Sequence, residues 1–213
     1  MLPFPMRFLL LSSAAWIFSG CHSAYKNLQP TNVANPYCLQ MFQPHFTRNL
    51  YKAQVAVAGN QFSGLLLVKQ MPDSSTRLLF TTETGLKFFD FEFAADGAFK
   101  VIFIMEKMNK AAVIKTLRKD FELVLMKNLG QLPSKIFTKD SLLYHRFIKE
   151  KDYKYYITDT TCTQLVRIEK ASVRKLYATM VMKNYTQGVP DTIGIAHHNF
   201  EFNIGLKLLN PNP

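Results

Sequence analysis

The chain lacks the short motifs that identify many enzymes and metal proteins. It has no Cys-x-x-Cys pair, no His-Glu-x-x-His segment, no glycine-rich phosphate loop and no nucleophile elbow. His197 and His198 are adjacent, and neighbouring side chains of a strand point to opposite faces, so the two do not chelate one metal together. Asp90 and Glu92 share a strand face, but such a pair is more often a solvated surface than a catalytic dyad. The sequence therefore predicts no catalytic residue, no metal and no cofactor.

Long apolar runs are also missing, since none reaches the length of about 20 residues that a transmembrane helix needs. The apolar run at residues 8–18 follows Arg7 and leads into the sequence F-S-G-C, whose last residue is Cys21. This is typical of a secretion signal, and it resembles the lipobox of bacterial lipoproteins, which prefers Leu where this chain has Phe. We therefore predict a lipoprotein signal peptide over residues 1–20 and lipid attachment, as with palmitate, at Cys21. The alternative is an ordinary secretory signal that leaves Cys21 a plain thiol.

Cysteine is scarce, with 3 residues in the chain. With Cys21 assigned to lipid, Cys38 and Cys162 remain, and two cysteines in an oxidising compartment can pair. Sequence separation says nothing about their distance. A disulfide between Cys38 and Cys162 and a pair of free thiols are both open.

Acidic residues are few, since 15 Asp and Glu face 26 Lys and Arg, for a net charge of +11. A basic balance favours phosphate-bearing partners. The cations are scattered singly, and export argues against nucleic acid, so anionic lipid headgroups are the better partner. The alternative is a solubilising surface with no specific partner.

Loop-forming residues dominate residues 21–47, which we interpret as the lipidated N-terminus and a tether. Within it, residues 37–42 form either a short docked segment or a helical turn. Residues 48–210 then form one domain. Apolar residues alternate with polar ones in five successive runs separated by short turns, which predicts an antiparallel five-strand meander. The predicted strands cover 51–57, 62–71, 77–83, 86–93 and 99–105.

A helical period follows the meander. Ala111, Ile114, Leu117, Phe121 and Val124 recur at spacings of three and four, which predicts an amphipathic helix over about 107–127. Alternation then resumes in several further strands up to residue 208. The fold class is mainly β (α+β), with ten or eleven strands and one central helix.

This pattern resembles the lipoprotein-carrier superfamily of LolA and LolB, and in particular LolB-like outer-membrane lipoproteins. The resemblance is carried by architecture and by residues 61–69, 77–81, 84–91 and 189–198. It implies a strongly curved antiparallel sheet that forms a half-open β-barrel, with the helical insertion as a lid. It also implies that Leu86, at the turn between the predicted third and fourth strands, belongs to a membrane-insertion loop, unless Leu86 simply begins the fourth strand.

The resemblance implies a non-enzymatic function. The expected protein is anchored to the outer membrane through Cys21, on its periplasmic side. It binds the acyl chains of a lipid or lipoprotein, accepts them from a soluble LolA-like carrier, and helps to insert them in the bilayer. The alternative is a structural or adaptor lipoprotein of an envelope complex, with a closed core and no lipid cargo.

Aromatic residues at alternating strand positions are the candidate cavity lining, since the chain contains 18 Phe. The apolar face of the helix is the candidate lid. A closed core between sheet and helix would use the same residues. The candidates are Phe80, Phe89, Phe91, Phe93, Phe99, Phe103, Phe202 and Ile204 in strands, and Ile114, Leu117 and Phe121 in the helix.

The lipidation prediction is tested by substituting Cys21→Ser. Without its acyl chains the protein loses most of its membrane affinity, because each buried methylene contributes about 0.8 kcal/mol. We expect the variant to incorporate no radiolabelled palmitate and to appear in the soluble envelope fraction. Cys162→Ser removes another cysteine and should keep the label. Undiminished labelling of the Cys21→Ser variant would contradict the assignment.

Overall fold

The computed structural model describes residues 25–32, 35, 37–127, 129, 133, 135–149 and 152–209, which include thirteen strands and one α-helix. The predicted signal peptide 1–20 and Cys21 lie outside the described residues. The strands are β1 (Gln29–Pro30), β2 (Arg48–Val57), β3 (Asn60–Gln70), β4 (Thr76–Thr81), β5 (Lys87–Phe93), β6 (Phe99–Ile104), β7 (Lys135–Lys139), β8 (Leu142–Lys149), β9 (Asp152–Asp159), β10 (Leu165–Ala171), β11 (Leu176–Thr186), β12 (Val189–His197) and β13 (Phe202–Leu209).

All thirteen strands belong to one antiparallel sheet, in the order β1-β7-β8-β9-β10-β11-β12-β13-β2-β3-β4-β5-β6. The order starts at β1 and ends at β6, and within the described residues no pairing joins these two, so the sheet is open. This confirms the prediction of a mainly β, antiparallel and incompletely closed sheet. One hydrophobic cluster includes Phe91 of β5 together with Ile168 of β10, so distant strands share a core.

The predicted five-strand meander is β2 to β6. Alternation decides its inner face, as in β4, where buried and half-buried residues alternate along all 6 positions. Gly59, Gly85 and Gly97 have φ angles of 77°, 89° and 88° and lie in the tight turns, where the left-handed backbone favours glycine. The local sequence pattern therefore accounts for this half of the sheet.

The second half of the sheet runs from β7 to β13 and joins the first half through β13. Its pairing with β2 aligns 8 residue pairs, from Phe202 with Val57 to Leu209 with Leu50. Ile204, Leu206 and Leu208 are buried on one face of β13. The last strand of the chain thus lies between β12 and β2 and makes one sheet of two meanders.

A single helix, α1 (Ala111–Val124), packs on the inner face of the sheet. A 3-10 turn, Glu106–Met108, precedes it, so the helix is shorter than the predicted span of 107–127. Leu117, Phe121 and Val124 are buried, and the Phe121 ring lies 6.0 Å from the ring of Phe89. In the described chain, the lid is therefore one helix.

Among the described residues, no helix is both long enough and apolar enough to cross a bilayer.

Part of the predicted tether is folded onto the sheet. Cys38–Phe42 forms a 3-10 helix in which Cys38, Leu39 and Phe42 are buried. Cys38 forms a disulfide with Cys162, with 5.7 Å between the Cα atoms. Gln29–Pro30 pairs with β7. Cys38–Phe42 is therefore a short segment docked on the domain, held by the disulfide and by its buried apolar side chains.

His145 of β8 is fully buried beside the disulfide. Its Nε2 lies 3.5 Å from Cys38 Sγ and 3.2 Å from Thr158 Oγ1, and its Nδ1 has no hydrogen-bond partner in the described chain. Burial lowers the pKa of His145 from 6.5 to about 4. The folded protein therefore holds this imidazole neutral where the unfolded chain would protonate it.

This difference predicts acid-sensitive stability. Between pH 6.5 and 4 the unfolded chain binds a proton at His145 that the folded chain does not. The free energy of unfolding should therefore fall as the pH is lowered through this window, by up to about 3 kcal/mol. Urea unfolding at several pH values measures the slope. His145→Gln should flatten it, whereas His198→Gln, at an exposed histidine, should not. An unchanged slope in His145→Gln would show that other groups cause the effect.

Candidate ligand-binding site

A cavity of about 560 Å³ lies between α1 and the inner face of the sheet. Of the 21 residues that line it, 18 are apolar, and the others are Thr116, Lys107 and Lys110. The sheet supplies Ala53, Val55, Val57, Phe62, Leu66, Phe80, Phe88, Phe89, Phe202, Ile204 and Leu206. The helix and the segment before it supply Met105, Met108, Ala112, Val113, Leu117 and Phe121, and the connection between β12 and β13 supplies Phe200.

The wall of the cavity follows from strand register. Ile204 is paired with Val55, and Val55 with Phe62, so three neighbouring strands place apolar side chains in one row. Leu66 is paired with Phe80, and Phe80 with Phe89, in a second row. Because cross-strand partners share a face, alternation within each strand becomes a continuous apolar surface across five strands.

Gly64 allows the aromatic part of this wall to pack. A Cβ at this position would lie 2.2 Å from the Thr81 carbonyl oxygen and 2.8 Å from the Phe80 ring. Phe80 therefore lies over β3 where a side chain would otherwise stand. Its ring stacks on Phe88 at 4.9 Å between centroids. The glycine thus permits a close approach, and the two rings form one side of the cavity.

Six of the eleven predicted lining residues do line the cavity. They are contributed by β4, β5, α1 and β13, and they meet in the folded chain although they are far apart in the sequence. They are Phe80, Phe89, Leu117, Phe121, Phe202 and Ile204.

The other five lie elsewhere. Phe91 and Phe93 are buried in the closed core, with exposed fractions of 0% and 3%. Phe99 packs on Phe91 at 5.2 Å, and both Phe99 and Ile114 face a second cavity across the helix. Phe103 is 42% exposed under the Lys87 ammonium. A register shift between Asp90 and Phe91 in the β5–β6 pairing accompanies this change, which alternation alone does not reveal.

Several lining residues were not singled out from the sequence. Val55 and Leu66 lie on the predicted strands, and their alternation was a usable signal. Ala112, Val113 and Thr116 gave no such signal, because they lie off the face that the spacings of three and four select.

Four residues that line the cavity are exposed to solvent. Phe62 and Phe200 have exposed fractions of 40% and 47%. Lys107 and Lys110 are also exposed. We call these four residues the mouth. An apolar interior with an open mouth can admit a ligand without unfolding the sheet.

The opposite face of α1 contacts the sheet through charges. A cavity of about 600 Å³ on that side is lined by both cations and carboxylates. Lys119 is paired with Asp152 of β9, and Arg118 is paired at 2.7 Å with Glu122 of the same helix. Burial lowers the pKa of Lys170, against the raising effect of nearby Asp120. This side of the helix is an ion-paired junction, in contrast to the apolar side.

Asp120 fixes the helix at the boundary between the two sides. It is 0% exposed, and its Oδ2 lies 2.8 Å from Nε2 of His197 on β12. The His197 ring in turn lies 4.6 Å from Phe200 and 5.3 Å from Phe202, both of which line the cavity. A buried polar contact therefore joins the lid, the sheet and one wall of the cavity.

The other notable polar groups are already engaged. Arg77 donates two hydrogen bonds to Asp90, at 2.7 and 2.8 Å. Burial raises the pKa of Asp90, but Arg77 and Lys87 outweigh it and hold the pKa below its usual value. In the described chain, Cys38, His145 and Cys162 form the only cluster of three residues whose side chains could bind a metal, and the disulfide occupies both sulfur atoms.

Leu86 is 59% exposed, in the turn between β4 and β5.

The difference between core and cavity wall predicts two different responses to truncation. Phe91→Ala should lower the free energy of unfolding by about 3–5 kcal/mol, as in a filled core. Phe202→Ala should lower it by only about 1 kcal/mol, because this half-buried ring already borders open volume. Urea unfolding of both variants measures the losses. Equal losses would mean that the volume beside Phe202 is filled in solution.

No protein-family model and no curated protein matches the chain. Among solved structures, the chain is similar to a LolA superfamily protein from Nitrosomonas europaea, with 8% identity, coverage of 81% of this chain and 90% of the other, and a TM-score of 0.49. A domain described as an outer membrane lipoprotein-sorting protein, from Vibrio parahaemolyticus, has 10% identity, coverage of 82% and 90%, and a TM-score of 0.48. A DUF1329 family protein from Desulfovibrio piger has 9% identity, coverage of 81% and 88%, and a TM-score of 0.41. With TM-scores below 0.5, these neighbours assign no family, function or residue role to this chain.

Proposed function

We propose that this protein binds an acyl chain in the cavity between α1 and the sheet and carries it without chemical change. The observation that supports the proposal is the cavity itself, about 560 Å³ with 18 apolar residues among its 21 lining residues. Pockets for small ligands measure about 300–1,000 Å³ and are mostly apolar. The volume of this site lies in that range, and its lining is mostly apolar.

An acyl chain is the ligand that best fits this apolar wall, because it carries no hydrogen-bonding groups along its length. Each methylene moved from water into an apolar site contributes about 0.8 kcal/mol. The phenylalanine rings of the wall offer contact area without polar groups that would need partners. Thr116 is the one neutral polar residue of the lining, so a ligand with many hydrogen-bonding groups would leave most of them unsatisfied.

We further propose that the domain works at a membrane, held there by lipid on Cys21, on the periplasmic side of the outer membrane. The net charge of +11 favours contact with anionic headgroups. The 59% exposure of Leu86 at the β4–β5 turn supports the proposal that this residue inserts into the bilayer. In this role the protein receives a lipid or lipoprotein from a soluble LolA-like carrier and delivers it to the bilayer.

A second candidate function, an adaptor in an envelope complex, is favoured by the edge strand β6. It is the last strand of the sheet and exposes Ile102 and Phe103, with exposed fractions of 38% and 42%. An open edge with apolar side chains can accept a strand of another protein. This role needs no ligand in the cavity, so ligand uptake separates the two functions.

Thr116→Trp tests the acyl-chain proposal. Thr116 is half-buried on the cavity side of α1, and an indole there would occupy part of the ligand volume. Each methylene denied burial costs about 0.8 kcal/mol, so the affinity for a fluorescent fatty acid should fall by at least about tenfold. The measurement uses cis-parinaric acid and the full chain carrying Cys21→Ser.

Lys115→Trp is the matched control, because the neighbouring residue faces the charged side of the same helix. It adds the same side chain and should leave the affinity within about twofold, as for surface substitutions. Absence of uptake by the parent chain would refute acyl-chain binding and favour the adaptor. An equal loss in both variants would point to a general disturbance of the helix.

A further inference from the structure

We propose that the ligand of this cavity is a long-chain fatty acid, with its tail among the phenylalanines and its carboxylate held at the mouth by Lys107 and Lys110. This inference rests on the proposed function, acyl-chain binding, and adds the chemical class of the ligand. It depends on three features of the site, which are the charge of the mouth, the placement of the two lysines and the nature of the remaining wall.

The charge of the mouth is purely positive. Lys107 and Lys110 are the two charged residues that line the cavity, and no carboxylate lines it. Neither ammonium has an ion-pair partner among the described residues. Glu106 is adjacent in sequence but does not line the cavity. Arg118 and Lys119 of α1, by contrast, are each paired with a carboxylate.

The two lysines lie where the apolar wall ends. Lys107 belongs to the 3-10 turn before α1, and Lys110 directly precedes the first residue of the helix. Met105 and Met108, from the same segment, line the interior. A lysine can lay its methylene stem along an apolar wall and keep its ammonium in water. The site is thus apolar inside and cationic at its rim, which complements a molecule with an apolar tail and an anionic end.

The start of α1 adds to the positive potential at this rim. No side chain caps the helix there, and its first turn contains no acidic residue. The first N–H groups of a helix have no partner within the helix, and its N-terminus carries a partial positive charge. An anion at the mouth would therefore meet this end of the helix as well as the two ammonium groups.

The remaining wall favours one chain with a small headgroup. A volume of about 560 Å³ is that of a site for one small ligand. No arginine lines the cavity, so the contacts to an anion come from the two lysine ammonium groups, which act as point charges toward a carboxylate or a phosphate alike. Thr116 is the one neutral polar residue of the lining, so the site favours a ligand with few polar groups beyond its anionic end. A fatty acid is such a ligand, with a single chain and a small headgroup.

The test compares an acid with its neutral ester at the same chain length. cis-Parinaric acid and its methyl ester share one fluorescent tail, and the full chain with Cys21→Ser is titrated with each at neutral pH. We expect the acid to bind about tenfold more tightly, since two charge-assisted contacts act together at a partly exposed mouth. In Lys107→Gln/Lys110→Gln the acid should fall to the affinity of the ester, and the ester should be unchanged.

Lys69→Gln/Lys183→Gln is the matched control. Both lysines are exposed, neither lines the cavity, and the same two charges are lost. This variant should keep the preference for the acid. If it loses the preference as fully as the mouth variant does, the effect comes from net charge and the proposed contact is wrong. Thermal unfolding checks that both variants remain folded.

The outcomes separate this inference from the proposed function. If acid and ester bind the parent chain equally, acyl-chain binding stands and the carboxylate contact is wrong. If neither binds, the proposed function fails as well. Displacement of the probe by lysophosphatidic acid at lower concentration than by oleate would overturn the assignment of a carboxylate. Stronger displacement by oleate, lost in the mouth variant, supports it.

Discussion

The pairing of β13 with β2 is the interaction on which the rest of the structure depends. It joins the last strand of the chain to the first long strand, and it converts two meanders into one sheet. The cavity needs this join, because its wall contains Val55 from β2 and Ile204 from β13 as cross-strand partners. Such a contact closes nearly the whole chain into a loop, and loop-closure entropy must be offset by many paired residues at once. The 8 aligned pairs, with alternate side chains buried, provide this.

Helix α1 contributes two unlike faces to this sheet. Leu117 and Phe121 border the apolar cavity, while Arg118 and Lys119 form ion pairs on the opposite side. The buried contact between Asp120 and His197 lies between these faces and ties the helix to β12. Open volume remains on both sides of the helix, about 560 Å³ on the apolar side and about 600 Å³ on the charged side. The two sides therefore differ in the chemistry of their lining and not in their size.

A closed core and a cavity were competing interpretations of the same phenylalanines, and both are present. Phe91 and Phe93 pack in a filled core, while Phe89 and Phe202 border open volume. Alternation assigns a residue to the inner face of a strand but carries no information about what lies opposite. Phe103 departs even from the face assignment, because a register shift in the β5–β6 pairing turns this part of the edge strand outward. Cavity and core are distinguished by the position of the helix, which is a property of the whole fold.

The sequence by itself determined the local elements. Period-two alternation specified the meander from β2 to β6, and spacings of three and four specified α1, because these periods reflect backbone geometry within a few residues. Tertiary structure decided the neighbours. It placed β13 beside β2. It joined Cys38 to Cys162 by a disulfide and so docked part of a segment rich in loop-forming residues. It also brought Lys107 and Lys110 to the rim of an apolar cavity. Distances between remote residues depend on how all the elements pack at once, and no period within one strand or helix encodes them.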